Sequence, residues 1–316
     1  MEQERLFPAE RRWELHDLIG QALYWLADLP AALPHLRLAW ELPREHYADR
    51  LAALSNYLMY LHYAAGVTDE MMRDAHAAYA KMLGSLPLFS HTVRKHGKLR
   101  IGYLSPNLTD HIVLNFAIQL FSAYNRSRYE VRLYDIGTLQ CETTDWVAGM
   151  VDGYTDLSKC RPQEAAARIH ADEIDILFDL AGHSANNALP VLALRPAPVQ
   201  ISGIGYFDTT GLSAVDYFLT DAYIDPMGEN DDCFTEKLLR LPESHLCYRA
   251  SRAGEKSRIA PLPAREKGYI TFGCFNNFAK VTDRVLHLWA KILRTVPRSR
   301  LFLKTDAFDA PASREA

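Results

Sequence analysis

From about residue 98 onward, hydrophobic and polar positions fall into short blocks that switch between two periods. Apolar, β-leaning runs at 99–105, 129–135, 174–180, 199–204, 217–220 and 237–241, with a shorter one at 153–157, each read as a strand. Between them lie stretches of helical spacing at 113–124, 146–150 and 162–171, and a further helical pattern opens after Asn187. Pro162 stands in the first turn of the strongest of these, where its missing N–H costs nothing. Strands alternating with helices predict an α/β fold built on a parallel sheet. In such sheets ligands bind beyond the carboxyl ends of the strands. Two small polar loops fall there, Ala181-Gly182-His183-Ser184 after one central strand and the stretch from Gly205 to Gly211 after the next. Both belong on one rim, and that rim is the candidate site.

The rest of the chain has a different texture. Residues 1–90 read as helices. Trp13, Leu15, Leu18, Ile19, Ala22, Leu23 and Leu26 recur at helical spacing, Pro30, Pro34 and Pro43 punctuate the next stretch, and 51–61 gives a second apolar helix. Thr68-Asp69-Glu70 is a start signal for a third, running to about Leu83. These helices are either the tail of a helical-repeat array or a plain helical cap, since no clean repeat of about 34 residues is visible. The polar, turn-rich stretch 84–98 is a boundary. A proline-bearing polar linker is expected over 250–267. A strand at 269–275, a helix at 282–294 and a strand at 300–304 then restart the rhythm. One β-α-β unit leaves its apolar faces uncovered, so the region 268–316 is expected to be only the start of a second domain. The expected organisation is a helical segment over 1–90, a Rossmann-like domain over 98–249, the linker, and that incomplete domain.

Composition narrows the class. A chain of 316 residues, 48% apolar, has room for about two domains with ordinary cores. A net charge of −4 argues against a nucleic-acid binder. Five cysteines without regular spacing point to reduced thiols, not a disulfide framework. The N-terminus shows no apolar signal region, and no run reaches the roughly 18 apolar residues of a membrane span. A cytoplasmic protein without membrane partners is the expectation. The histidines and cysteines lack zinc spacing, and neither a Walker loop nor a GxGxxG fingerprint occurs, so no metal and no dinucleotide cofactor is expected.

Four long motifs in order carry a resemblance: GYLSPNLTDHIV (102–113), DILFDLAGHSANNAL (175–189), ALRPAPVQISGIGYFDTTGLSAVDYFLTD (193–221) and ITFGCFNNFAKVTDRVLHLWAKILRTVPRSRLFLK (270–304). About two-thirds of the chain resembles the catalytic region of the O-GlcNAc transferase and SPINDLY family of protein O-glycosyltransferases, with details leaning to the SPINDLY-like and bacterial branch. The resemblance implies a GT-B architecture of two Rossmann-like domains, preceded by tetratricopeptide repeats of which this chain would hold the last pieces. It implies transfer of a sugar, expected to be N-acetylglucosamine from UDP-GlcNAc, to Ser or Thr of acceptor proteins or peptides, with inversion and without a metal. It also implies that the nucleotide binds mostly to the second domain.

Such a transfer must stabilise a leaving diphosphate, pass an oxocarbenium-like transition state and take a proton from the acceptor hydroxyl. Lys280 lies between a strand's carboxyl end and a helix beginning near Thr282, where free N–H groups and the helix dipole favour an anion. The resemblance makes Lys280 the diphosphate-contacting lysine and Asn277 a neighbouring nucleotide contact. His111 ends the loop after the first strand, and an imidazole there suits either a base or a positioning group; the family's active-site histidine falls on it. The family commonly has an aspartate and an aromatic where this chain has Asn107 and Leu108. His183, with Ser184 beside it, either contacts substrate or fixes its own loop. Gly205, Tyr206 and Thr209 form the adjoining loop, where the resemblance implies sugar or phosphate contact. Asp179 reads as ordering its loop, and Arg195-Pro196-Ala197-Pro198 as a structural corner. Two other readings stay open: a non-catalytic protein-binding module on the same scaffold, and the same chemistry with GDP-fucose as donor.

Overall fold

The apolar blocks between 99 and 241 pair into one all-parallel sheet of seven strands in the order β3-β2-β1-β4-β5-β6-β7. The strands are β1 (Leu99–Ser105), β2 (Tyr129–Asp135), β3 (Gly153–Asp156), β4 (Ile176–Asp179), β5 (Val199–Ser202), β6 (Tyr217–Asp221) and β7 (Lys237–Leu241). A computed structural model describes residues 8–26, 28–42, 47–92, 96–250, 258–305 and 308. The chain divides into two compact units, residues 69–252 and residues 1–68 together with 253–316.

In the first of these units β1 lies between β2 and β4, with Leu104 opposite Tyr134 on one side and Asp179 on the other. Strand order reverses between β1 and β4, which opens the crevice typical of doubly wound sheets at their carboxyl ends. Connections run through α5 (Ile112–Ser122), α6 (Glu142–Ala148), α7 (Pro162–Ala171) and the single turn α8 (Leu189–Leu192). Consecutive residues are buried toward the carboxyl ends of β1, β2 and β4, as expected of central strands covered on both faces. Tyr103, Leu108, Leu114, Phe121, Val131, Leu133 and Phe178 form the core. The helix α4 (Asp69–Leu83) also belongs to this unit and buries Ala75, His76, Tyr79 and Leu83. The turn-rich stretch after it lies along the sheet domain: Phe89 N–H donates to the Leu194 carbonyl at 3.0 Å, and His91 Nε2 to that of Arg195 at 2.9 Å.

In the other unit, α1 (Arg12–Trp25), α2 (Leu29–Glu41) and α3 (Tyr47–Leu61) precede a β-α-β unit made of β8 (Thr271–Cys274), α10 (Asp283–Thr295) and β9 (Arg300–Leu303). A short helix, α9 (Pro263–Lys267), falls inside the stretch read from sequence as linker. Helix α2 corrects the sequence reading, which took Pro30 and Pro34 as punctuation. Pro30 sits in the first turn, where an N–H is not needed, and Asp28 caps the helix by accepting from Ala31 N–H at 3.2 Å. Pro34 removes one internal hydrogen bond, a loss offset by burial of Leu29, Ala32, Leu36 and Ala39 along one face. Pro43 lies outside the described residues. Strands β8 and β9 are half exposed, alternating in burial along their length. Among the described residues no helix is long and apolar enough to cross a membrane.

Candidate functional site

The carboxyl rim of the seven-stranded sheet is assembled by a repeated local device. Strands β2, β3, β4 and β6 each end on an aspartate whose carboxylate accepts the N–H two residues on: Asp135 from Gly137, Asp156 from Ser158, Asp179 from Ala181, and Asp221 from Tyr223. Such side-chain turns end the strand and reverse the chain without leaving its donors bare. At β1 a serine does the same work, Ser105 Oγ accepting from Asn107 N–H at 3.0 Å.

His111 closes the β1 loop and caps α5. Its backbone is extended and its Nδ1 accepts from Val113 N–H at 3.3 Å. The ring is exposed, yet partial desolvation lowers its pKa, favouring the neutral form. With Nδ1 accepting, the neutral ring carries its proton on Nε2. Leu108, where the resemblance departs from the family pattern, is buried in the core and anchors the loop.

The β4 and β5 loops are bound to each other. Asp179, fully buried, accepts from Gly182 N–H at 2.8 Å and from Ser202 Oγ at 2.7 Å, so it orders the loop as expected. Burial pushes its pKa up. A Cβ added at Gly205 would lie 2.0 Å from the Leu180 carbonyl oxygen, so the two loops run in backbone contact that only glycine permits. His183 is buried and donates from Nε2 to the Thr210 carbonyl at 3.0 Å; these contacts support the loop-fixing role. Ser184 Oγ is shielded from solvent and has no hydrogen-bond partner among the described residues. Tyr206 is buried, and Phe207 beside it is exposed.

Glu236, which no sequence motif marks, holds the far end of this loop. Its carboxylate accepts from Thr209 Oγ1 at 2.6 Å, from Thr210 N–H at 2.8 Å, and from the Thr210 hydroxyl. Desolvation raises its pKa. Under β6, Asp221 accepts from both the N–H and the Nδ1 of His245, at 3.0 and 2.6 Å, and these bonds hold its pKa well below the usual carboxylate range. The structure thus brings His183, Ser184, Gly205, Tyr206 and Thr209 together behind one rim, with His111 on the neighbouring loop.

Asn277 and Lys280 lie in the other unit. After β8 the chain makes a short turn in which Asn277 Oδ1 accepts from Ala279 N–H at 3.0 Å. Asn277 Nδ2 donates to the Tyr24 hydroxyl of α1, and Ala279 packs on the hydrophobic cluster of Tyr24, Leu29, Ala32 and Leu36 between α1 and α2. Lys280 is exposed, with Nζ 5.6 Å from the centre of the Tyr63 ring. Tyr24, Trp25, Phe275, Asn277, Phe302 and Lys304 line a cleft of about 650 Å³ at the carboxyl ends of β8 and β9. Aromatic walls with a few polar groups suit a planar, polar ligand.

Sheet order, rim loops and the helical segment define a GT-B-like α/β chain, in which a Rossmann-like sheet is accompanied by a further β-α-β unit. The family model described as "Glycosyl transferase family 41" matches residues 81–250, more than half of the chain. The chain belongs to glycosyl transferase family 41. It is 38% identical over 84% of its length to the rice (Oryza sativa subsp. japonica) protein named "Probable UDP-N-acetylglucosamine--peptide N-acetylglucosaminyltransferase SPINDLY". It is 29% identical over 72% of its length to the Arabidopsis thaliana relative of the same enzyme name called SEC. A lysine-to-methionine mutant of the Thermobaculum terrenum O-GlcNAc transferase superposes with a TM-score of 0.87 at 30% identity, covering 99% of this chain and 58% of that one. The chain spans 29% of the length of the rice relative and 25% of the length of SEC.

Proposed function

We propose that this chain is part of a protein O-glycosyltransferase that moves N-acetylglucosamine from UDP-GlcNAc to a Ser or Thr hydroxyl of a protein or peptide, with inversion and without a metal. The enzyme names of the relatives support the class of donor and acceptor. In a single displacement the hydroxyl oxygen bonds to the anomeric carbon as the bond to the β-phosphate oxygen breaks, so configuration inverts. The hydroxyl proton passes to an oxygen of the departing diphosphate, where the negative charge collects. Lys280 supplies the cation for that charge, beside the N-terminus of α10.

The observation that carries the reading is the position of His111. It stands at the carboxyl end of β1, beside the reversal of strand order, with Nδ1 occupied by the Val113 N–H. With Nδ1 so occupied, Nε2 is the ring nitrogen left for a ligand, and in the neutral ring it donates. His111 therefore holds a sugar or acceptor oxygen in place and is not the group that removes the proton.

The test is transfer by the whole protein, offered UDP-GlcNAc and GDP-fucose in turn. Both His111→Ala and Lys280→Met are expected to lower kcat by about a hundredfold or more, the scale for losing one preorganised donor or charge at a developing anion. Unimpaired transfer by either variant removes that residue from the mechanism. Turnover of GDP-fucose alone overturns the donor, and partner binding with no sugar transfer overturns the enzyme reading.

A further inference from the structure

Helix α4 precedes the sheet domain in sequence, yet one of its side chains reaches the back of the rim. His76 is buried to 1% exposure. Its Nδ1 lies 2.8 Å from the Met72 carbonyl oxygen one turn earlier, and its Nε2 lies 3.0 Å from the Tyr206 hydroxyl. A carbonyl oxygen only accepts, so Nδ1 carries the proton and Nε2 accepts from Tyr206. The imidazole is thus held as one neutral tautomer, a state that burial reinforces by lowering its pKa to about 4.

The surrounding rings close the arrangement. His183 lies edge-on to His76, centroids 5.1 Å apart, to Tyr79 at 4.6 Å, and to Tyr206 at 5.4 Å. Residues 203–211 also touch the α4 backbone. Gly211 has φ of +72°, and a Cβ there would stand 2.8 Å from the His76 carbonyl oxygen. Four aromatic side chains from α4, the β4 loop and the β5 loop therefore share one buried contact, directed by two hydrogen bonds at His76 and one from His183 to Thr210.

We infer that His76 is a positioning residue for the transfer proposed above: by accepting the Tyr206 hydroxyl proton in a hydrogen bond it fixes the 203–211 loop and, through ring contact, the His183 turn. The inference rests on that proposed function for its kinetic consequence, but its structural consequence is independent of it. A buried acceptor with its own tautomer set from behind can take only a donor in front, so the pair specifies one loop conformation.

The experiment pairs kinetics of the whole protein with amide hydrogen exchange of the same variants. His76→Ala is expected to lower kcat about tenfold or more with KM for the sugar nucleotide nearly unchanged, since a misplaced rim weakens the transition state and not donor binding. His76→Gln puts an oxygen near the Nε2 position and is expected to recover most of that loss. Tyr206→Phe should cost about as much as His76→Ala, and the double variant little more than either. Exchange at 182–184 and 203–211 should speed up in His76→Ala while β1, β2 and β4 keep their protection. Multiplying losses in the double variant, or a uniform rise in exchange across the sheet, would overturn the inference in favour of plain core stability. If the wild-type protein transfers no sugar from either donor, the proposed function fails, and the exchange pattern still decides whether His76 holds the loop.

Discussion

His76 and Glu236 are both buried beneath the β5 loop, and burial pushes their protonation in opposite senses. The neutral imidazole resists gaining a proton, while the carboxyl resists losing one. For His76 the folded pKa of about 4 lies below the ordinary value of 6.5, so its contribution to stability is complete above about pH 6.5 and is lost as pH falls toward 4. That shift corresponds to about 3 kcal/mol across the window. The raised carboxyls Asp179 and Glu236 act the other way, stabilising the fold as pH falls, so the histidine must be isolated by difference. In urea unfolding between pH 7 and pH 4, the advantage of wild type over His76→Gln is expected to shrink toward zero or reverse. A pH-independent difference would place another group in control. Neither residue was legible in the sequence. His76 is one of twelve histidines, on a helix that looked like part of a preceding segment, and Glu236 carries no motif. Their partners lie 130 and 26–27 residues away, and no local pattern encodes such pairs.

At the scale of elements, strands were legible because most are short runs rich in apolar residues, and five of the seven in the large sheet end on a polar residue with its own turn chemistry. The aspartates that close β2, β3, β4 and β6 stand in the sequence at the point where apolar character stops. Helices were less evenly read. α7 matches its expected range, with Pro162 leading and Glu164 accepting from the Arg161 N–H at 3.0 Å. α2 was missed because proline weighs against helix by local propensity, whereas here the cap and the buried face outweigh it. α8, where a helical pattern opens after Asn187, is a single turn. The contact between the β4 and β5 loops gives a sharp prediction for an element pair. Gly205→Ala would force the Leu180 carbonyl away from a methyl group 2.0 Å off, and overpacking of this kind costs about 1–3 kcal/mol. Denaturant unfolding should show that loss; an unchanged midpoint would mean that the loops separate freely.

For the whole molecule, the two proposed chemical groups are carried by different units, His111 by residues 69–252 and Lys280 by the other. The proposed function divides their effects accordingly. In calorimetry of the whole protein with UDP, Lys280→Met is expected to weaken binding about tenfold, as removal of one charge at a phosphate does. His111→Ala should leave it within about twofold, because His111 acts on the sugar or the acceptor. Equal losses in both variants would contradict this division of labour.

The chain's own order of residues determined the alternation of strands and helices, the polar loops that end the strands, and the motifs by which the family was recognised. All of these are local, set by periodicity, turn chemistry and contiguous signature. Tertiary structure decided which side chains share a space. It placed His183 behind the rim and not on it, and gave Tyr206 a histidine from α4. It set Asn277 against Tyr24 and brought Glu236 under two threonines. The reason is that burial and hydrogen bonding between distant residues depend on how faces pack, and a linear pattern specifies which faces are apolar without specifying which polar group each will cover.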